Sequence, residues 1–289
     1  MVLAFLVASA SAWSGEWQNL LDEELSEWNT YLAVPGKHSV LKGLKKDEAG
    51  NYLEALGHNV DPLGVFSAEV VDGEVLLHVT GEVYGGIYTK REFENYQLSV
   101  QVKWGEKKWP PRLDLELDSG ILYHANGEHG IDYWKAWPLS QEFQIIEGGL
   151  GDYWTIASSI IDIACIPSAK DQPYIYSKGS QFITLGGEKG VGNHCRRNED
   201  REIKNGAWNT LELIVVGDKS LHIVNGEVVM ALQNSRKPLG KSGEKGGEEA
   251  PLTKGSILLQ SEAGEVWFKA IKIKPLPSLP SKYKSYFSN

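Results

Sequence analysis

Residues 65–80, VFSAEVVDGEVLLHVT, decide the fold class. Two runs in which apolar and polar residues alternate meet at Asp72-Gly73, the dipeptide that supplies the positive φ angles of a tight hairpin turn. Leu221 to Met230 repeats the pattern around Asn225-Gly226. Between and beyond these hairpins lie further short alternating runs: Gln97 to Trp104, Gly120 to His124, Glu142 to Glu147, Ser180 to Leu185, Thr210 to Val216, Ser256 to Gln260 and Val266 to Ile273. Ten to twelve short strands, separated by Gly, Pro and Asn turns with little helix, predict an all-β sandwich of two antiparallel sheets. Residues 13–28 read as a cap of one amphipathic turn or helix followed by a short strand, and residues 277–289 as a proline-rich tail.

At 289 residues and 42% hydrophobic, the chain can bury a full core, and the absence of a repeat predicts one domain over residues 13–276. A formal charge of −9 argues against nucleic acid as a partner. Ten tryptophans and twelve tyrosines supply flat apolar rings with a polar handle, which suits a carbohydrate ligand. Residues 1–12 hold a short apolar run ending in Ala10-Ser11-Ala12, the small-x-small pattern of a signal peptide, so a periplasmic or secreted protein is expected. No run is long enough for a transmembrane helix. Cys165 and Cys195 allow one disulfide, with two buried thiols as the alternative, and no Cys/His spacing suggests zinc. The sequence is silent on oligomeric state.

The chemistry concentrates in residues 119–154, SGILYHANGEHGIDYWKAWPLSQEFQIIEGGLGDYW. Glu142 and Gln144 share one strand face by two-residue alternation, and Glu147 joins them if the strand carries a bulge. Tyr133, Trp134, Trp137, Tyr153 and Trp154 are the expected walls of a sugar subsite, with Asp152 and His194 beside it. His124 and Lys135 are the expected cationic or hydrogen-bonding partners, and His129 and Asp132 further cleft residues. Glu142 and Glu147, together with Asp152, offer hard oxygen ligands to a divalent cation such as calcium, and no organic cofactor is implied. The alternation in Asp114-Leu115-Glu116-Leu117-Asp118 puts three carboxylates on one strand face, read chiefly as a solvated edge.

The motifs SGILYH, EFQIIE, WNTLEL, NGEVV, GSILLQ and VWFKAIKI, in that order, resemble the exported bacterial 3-keto-disaccharide, or 3-keto-glycoside, hydrolases over residues 64–276. The resemblance implies a concanavalin A-like jelly roll whose concave sheet forms a sugar cleft. Members commonly carry Arg or His after the SGI strand and His after the LQ strand; here His124 fits the first position and Glu262 stands near the second. A 3-keto sugar has an acidified C2 proton, so the implied chemistry is C2 proton abstraction by Glu142 or Glu147, loss of the C1 substituent, and hydration. The same six residues, EFQIIE, also resemble the E-x-D-x-x-E strand of laminarinase-type retaining glucanases, with Gln144 in place of Asp. That reading requires Glu142 and Glu147 about 5–5.5 Å apart. A lectin-like binding module is the non-catalytic alternative.

Overall fold

The computed structural model describes residues 15–169, 174–188, 190–204, 206–239 and 247–287, so the expected signal peptide lies outside the described residues. The protein is a β jelly roll. One sheet runs in the spatial order Gly57–His58, Trp28–Leu32, Gly85–Thr89, Ser256–Ser261, Asp118–Asn126, Leu139–Ile146, Tyr153–Ile156, His194–Arg196 and Tyr174–Tyr176. The other runs Phe66–Val71, Glu74–Val79, Gly264–Pro275, Tyr96–Lys108, Asn209–Val216, Lys219–Val224, Glu227–Pro238, Ile160–Ile166 and Phe182–Gly186. Ile160–Ile166 also pairs with Tyr174–Tyr176 and so joins the two sheets. Both expected hairpins form, with φ of 53° at Asp72 and 50° at Asn225. These are left-handed values that Asp and Asn tolerate and that match the twist of the flanking strands.

Alternation fixes what each strand buries. Ile121 and Tyr123 from one strand, and Phe143 and Ile145 from the next, join Tyr96, Leu98 and Phe268 of the facing sheet in the main core. A polar thread crosses it: the His222 ring stacks on Phe143 at 4.3 Å and contacts the Gly151 carbonyl at 3.1 Å, and Tyr123 meets Ser220 at 2.8 Å. Burial holds His222 neutral by pushing its pKa down to about 4.

Both ends differ from expectation. Residues 15–28 form no helix; their contribution is Gln18–Asn19, paired on Gly264–Pro275, and the first residue of the strand Trp28–Leu32. In the tail, Ser281–Tyr286 makes a 3₁₀ turn whose Tyr283 packs into a second core cluster with Tyr153, Met230 and Leu232, because its ring has apolar surface to cover. The Cys165 and Cys195 sulfurs face each other 2.7 Å apart in that cluster as free thiols. Burial, then Cys165 itself, raises the Cys195 pKa strongly, so this thiol stays protonated. The carboxylate run at residues 114–118 is irregular chain leaving a turn, and only Asp118 enters a strand.

Candidate active site

On the face of the first sheet away from the core lies a cavity of about 430 Å³. Its floor comes from three adjacent strands. Glu142 sits opposite Leu122, and Gln144 opposite Gly120, on Leu139–Ile146. Because Gly120 has no side chain, both neighbours can lean over it: an added Cβ would lie 2.5 Å from Glu142 Oε1 and 2.3 Å from Gln260 Oε1. Gly120→Ala is therefore expected to displace both side chains and reduce catalytic turnover at least about tenfold, as small misplacements of reacting groups do. Its circular dichroism spectrum should stay native; normal turnover in a folded variant would show that this approach is dispensable.

Arg112 is the partly buried cation of the cavity, and sequence alternation gave no sign of it. It lies in the turn after Tyr96–Lys108, where the Trp109 N–H donates to the Ala263 carbonyl at 2.9 Å and draws the turn against Glu262. The guanidinium meets Asp118 Oδ2 at 2.5 Å and Glu262 Oε1 at 3.9 Å. Asp118 accepts a further bond from the Gln144 amide at 3.0 Å, so both its oxygens are committed. Glu142 has no such partner. The Gln260 amide lies close enough to favour its ionised form, yet both polar atoms of that amide lack a partner with hydrogen-bond geometry.

Three buried carboxyls lie in this cavity, and only Asp118 and Glu262 meet its arginine, so the proton affinities follow. Burial, and then the charge of Asp118, pushes Glu142 well above the ordinary carboxylate range. Burial does the same to Glu262, with Asp118 and Glu142 adding to it. Asp118 is raised to about 7 by burial, against the pull of Arg112. A carboxyl with a raised folded pKa binds more protons than its unfolded counterpart between the two values, so it lowers stability as pH rises through that window. Glu262→Gln removes one such group and leaves Arg112 paired with Asp118. Its melting temperature should match wild type near pH 4.5 and exceed it at pH 8, by roughly 2–4 °C per kcal/mol relieved. A gain confined to acid pH would contradict the assignment.

The walls come from the loop between Asp118–Asn126 and Leu139–Ile146. Asp132 shapes it by accepting the backbone N–H groups of Trp134 at 2.7 Å, Ala136 at 2.8 Å and Trp137 at 2.7 Å. Trp137 is buried, donates to the Gly85 carbonyl at 2.8 Å and anchors the loop, while Tyr133 and Trp134 are exposed at the mouth. Trp154 lies beside Glu142 on the next strand and completes the wall, with Asn193 and Thr155 at its rim.

The structure thus brings Glu142, Gln144, Asp132, Tyr133, Trp134, Trp137 and Trp154 to one cavity, and places the other expected residues elsewhere. Glu147 is exposed in the turn beyond the strand. The ladder is regular through Asp118 opposite Ile146, the Glu147 N–H bonds the Leu117 carbonyl, and no bulge turns its side chain inward. The irregularity falls instead between Tyr123 and Asn126, where His124 has φ of 55°. That break buries His124 outside the cavity, and burial lowers its pKa to about 3. Lys135 is exposed and lines a neighbouring pocket. Tyr153, adjacent to Trp154, must point the other way, into the core, where its hydroxyl donates to Gln141.

Asp152 and His194 stand behind the wall. Asp152 holds Arg197 at 2.8 Å and His194 at 3.5 Å, and His194 stacks on Trp154 at 4.1 Å. Burial alone would raise the Asp152 pKa, but the His194 contact and the Arg197 charge outweigh it and lower the pKa. His129 sits among Tyr31, His58 and Tyr88, away from the acid cluster. The cation ligands expected of Glu142 and Glu147 are not assembled, and among the described residues no three His, Cys, Asp or Glu side chains have metal-ligand spacing. The glutamate pair of a retaining glucanase is likewise not assembled.

Residues 16–274 match the 3-keto-alpha-glucoside-1,2-lyase-like domain. The chain belongs to that family. The match begins well before the motifs that first suggested it, so the strand at Trp28–Leu32 is part of the lyase-like domain. No curated sequence matches the chain at a significant level. Among solved structures, a candidate glycosyl hydrolase from Parabacteroides distasonis is 21% identical, with a TM-score of 0.47, covering 90% of this chain and 100% of that one. LamAcat from Zobellia galactanivorans is 13% identical, with a TM-score of 0.39 and coverage of 86% and 91%. A carbohydrate-binding module from Bacillus subtilis is 8% identical, with a TM-score of 0.39 and coverage of 72% and 91%. These likenesses concern the fold. Membership of the lyase-like family, with the cavity just described, makes this a glycosyl hydrolase-like, carbohydrate-active protein.

Proposed function

We propose that the cavity cleaves 3-keto-glycosides by elimination across C1 and C2. What carries the reading is a cavity that holds three buried carboxyls and an arginine paired with two of them, walled by tryptophans, in a chain of the lyase-like family. Glu142, the carboxyl without a committed partner, takes the C2 proton as carboxylate. The electron pair moves into the C3 carbonyl, whose developing oxyanion faces the Arg112 guanidinium, the cation that lines the cavity. When that pair returns to form the C1=C2 bond, the C1–O bond breaks and the leaving oxygen takes a proton from Glu262. Raised proton affinity suits Glu262 to arrive protonated and makes Glu142 a stronger base once ionised. Solvent then returns one proton to Glu262 and removes one from Glu142. Tyr133, Trp134 and Trp154 offer ring faces to the sugar.

The test is product formation from a methyl 3-keto-glucoside beside its unoxidised parent, each with and without a chelator. Cleavage of the keto compound alone is expected, because only there is the C2 proton acidified. Cleavage of the parent at a similar rate would overturn the reading. Loss of activity on chelation would replace Arg112 with a metal ion as the group facing the C3 oxygen. The leader at residues 1–12 belongs to the same proposal, since it would export the enzyme to where glycosides are met; detection of the uncleaved chain in the cytoplasm would count against that part.

A further inference from the structure

A second cavity, of about 200 Å³, adjoins the first across Tyr84 and Trp134 and has no part in the chemistry above. The two cavities share Trp134, and the pairing of Ser261 with Gly85 sets Tyr84, a wall of the second, beside Glu262 of the first. The walls of the second include Pro110 and Pro111, which immediately precede Arg112, and the Tyr84 phenol is held protonated by burial and then by the charge of Glu262. A group leaving C1 past Glu262 would therefore move towards it.

Its surface differs in kind from that of the main cavity. Val34, Pro110, Pro111, Tyr84 and Trp134 supply apolar and aromatic walls. The polar contributors are Glu82, Lys135 and His38, and His38 Nε2 already contacts the Glu82 carbonyl at 3.1 Å. A second sugar ring would bring hydroxyls that lose water against Val34, Pro110, Pro111 and Trp134, whereas an apolar ring loses nothing on those surfaces. The volume is also that of one ring, since a cavity of about 150 Å³ holds benzene.

We infer that this cavity is the leaving-group subsite, and that the enzyme's preferred substrates are 3-keto-glycosides whose aglycone is an aromatic or similar apolar alcohol. The inference rests on the cleavage reading for its substrate, but not for its binding test. When the C1–O bond breaks, the aglycone departs as the alcohol, carrying the proton given by Glu262, and the second cavity receives its ring.

The experiment compares benzyl and methyl 3-keto-α-glucosides, whose leaving alcohols have similar basicity, so that a rate difference reports the ring and not the leaving ability. The benzyl compound should have the higher kcat/KM, by about tenfold or more. Val34→Asp, at a half-exposed position, should bring the ratio towards one. In parallel, binding of the unoxidised benzyl and methyl α-glucosides is measured by calorimetry, with the benzyl compound expected to bind more tightly to wild type and not to Val34→Asp.

Equal kcat/KM values with equal binding would overturn the inference while leaving the cleavage reading intact. A 3-keto-disaccharide that outruns the benzyl compound, and loses that advantage in Val34→Asp, would also overturn it, by assigning the cavity to a sugar. Selective benzyl binding without cleavage of either keto compound would uphold the subsite and overturn the cleavage reading instead.

Discussion

Replacing Glu142 by Gln is expected to lower kcat on a 3-keto-glucoside by about 10²–10⁴-fold, the usual range for loss of a positioned general base. The amide keeps the shape of the side chain on its strand and cannot accept a C2 proton. Because burial, followed by the Asp118 charge, raises the proton affinity of Glu142, the wild-type kcat/KM should climb with pH above the ordinary carboxylate range as this group ionises. The variant should lose that limb of the profile. Glu147→Gln serves as the comparison within the same strand region: exposed and outside the cavity, it should keep near-normal rates. Comparable losses in both variants would restore the paired-glutamate mechanism and remove the present one.

Arg112→Ala should be costly twice over. It takes away the cation proposed to face the C3 oxygen, an effect of about 10²–10³ in kcat by analogy with removal of an oxyanion donor. It also strands Asp118 and Glu262, both buried, without a counter-charge, and breaking a buried pair in this way typically destabilises by about 3–5 kcal/mol. The sign of the pH dependence is fixed. Near pH 3 and below, the two carboxyls are protonated in the folded chain and largely so in the unfolded one, so the variant and wild type should converge. As pH rises, the unfolded chain ionises while the stranded groups resist, and the deficit should widen towards pH 8. Urea melts at the two pH values measure it; a deficit independent of pH would mean that Arg112 acts through packing alone. Arg112→Lys, which restores charge without the forked geometry, should recover stability better than rate.

Local rules made much of this architecture legible before any coordinates. The Asp72-Gly73 and Asn225-Gly226 turns announced their hairpins, and strict alternation put Glu142 and Gln144 on one face with Phe143 and Ile145 on the other. The same rule, followed further, turns Tyr153 and Trp154 to opposite faces, and Tyr153 is the one that enters the core. Where alternation failed, a backbone irregularity was responsible: His124 would follow Gly120 and Leu122 to the cavity but for its left-handed φ. The bulge expected near Glu147 lay at the far end of the strand pair. Arg112, Asp118 and Glu262 were hard to find for a different reason. They come from a turn, a strand start and a strand end over 150 residues of sequence, brought together by the pairing of Ser256–Ser261 with Asp118–Asn126 and of Trp109 with Ala263. No local pattern encodes that meeting, although a glutamate where the family commonly has histidine was a usable hint.

Asp132 links two properties that would otherwise vary independently. The same carboxylate that gathers three backbone N–H groups to shape the aromatic wall also adds, after burial and Asp118, a smaller push to the proton affinity of Glu142 and Glu262. Loss of this aspartate would therefore loosen the aromatic wall and ease the proton affinity of the two glutamates in the same step. Changes to the loop that keep Asp132 leave both in place.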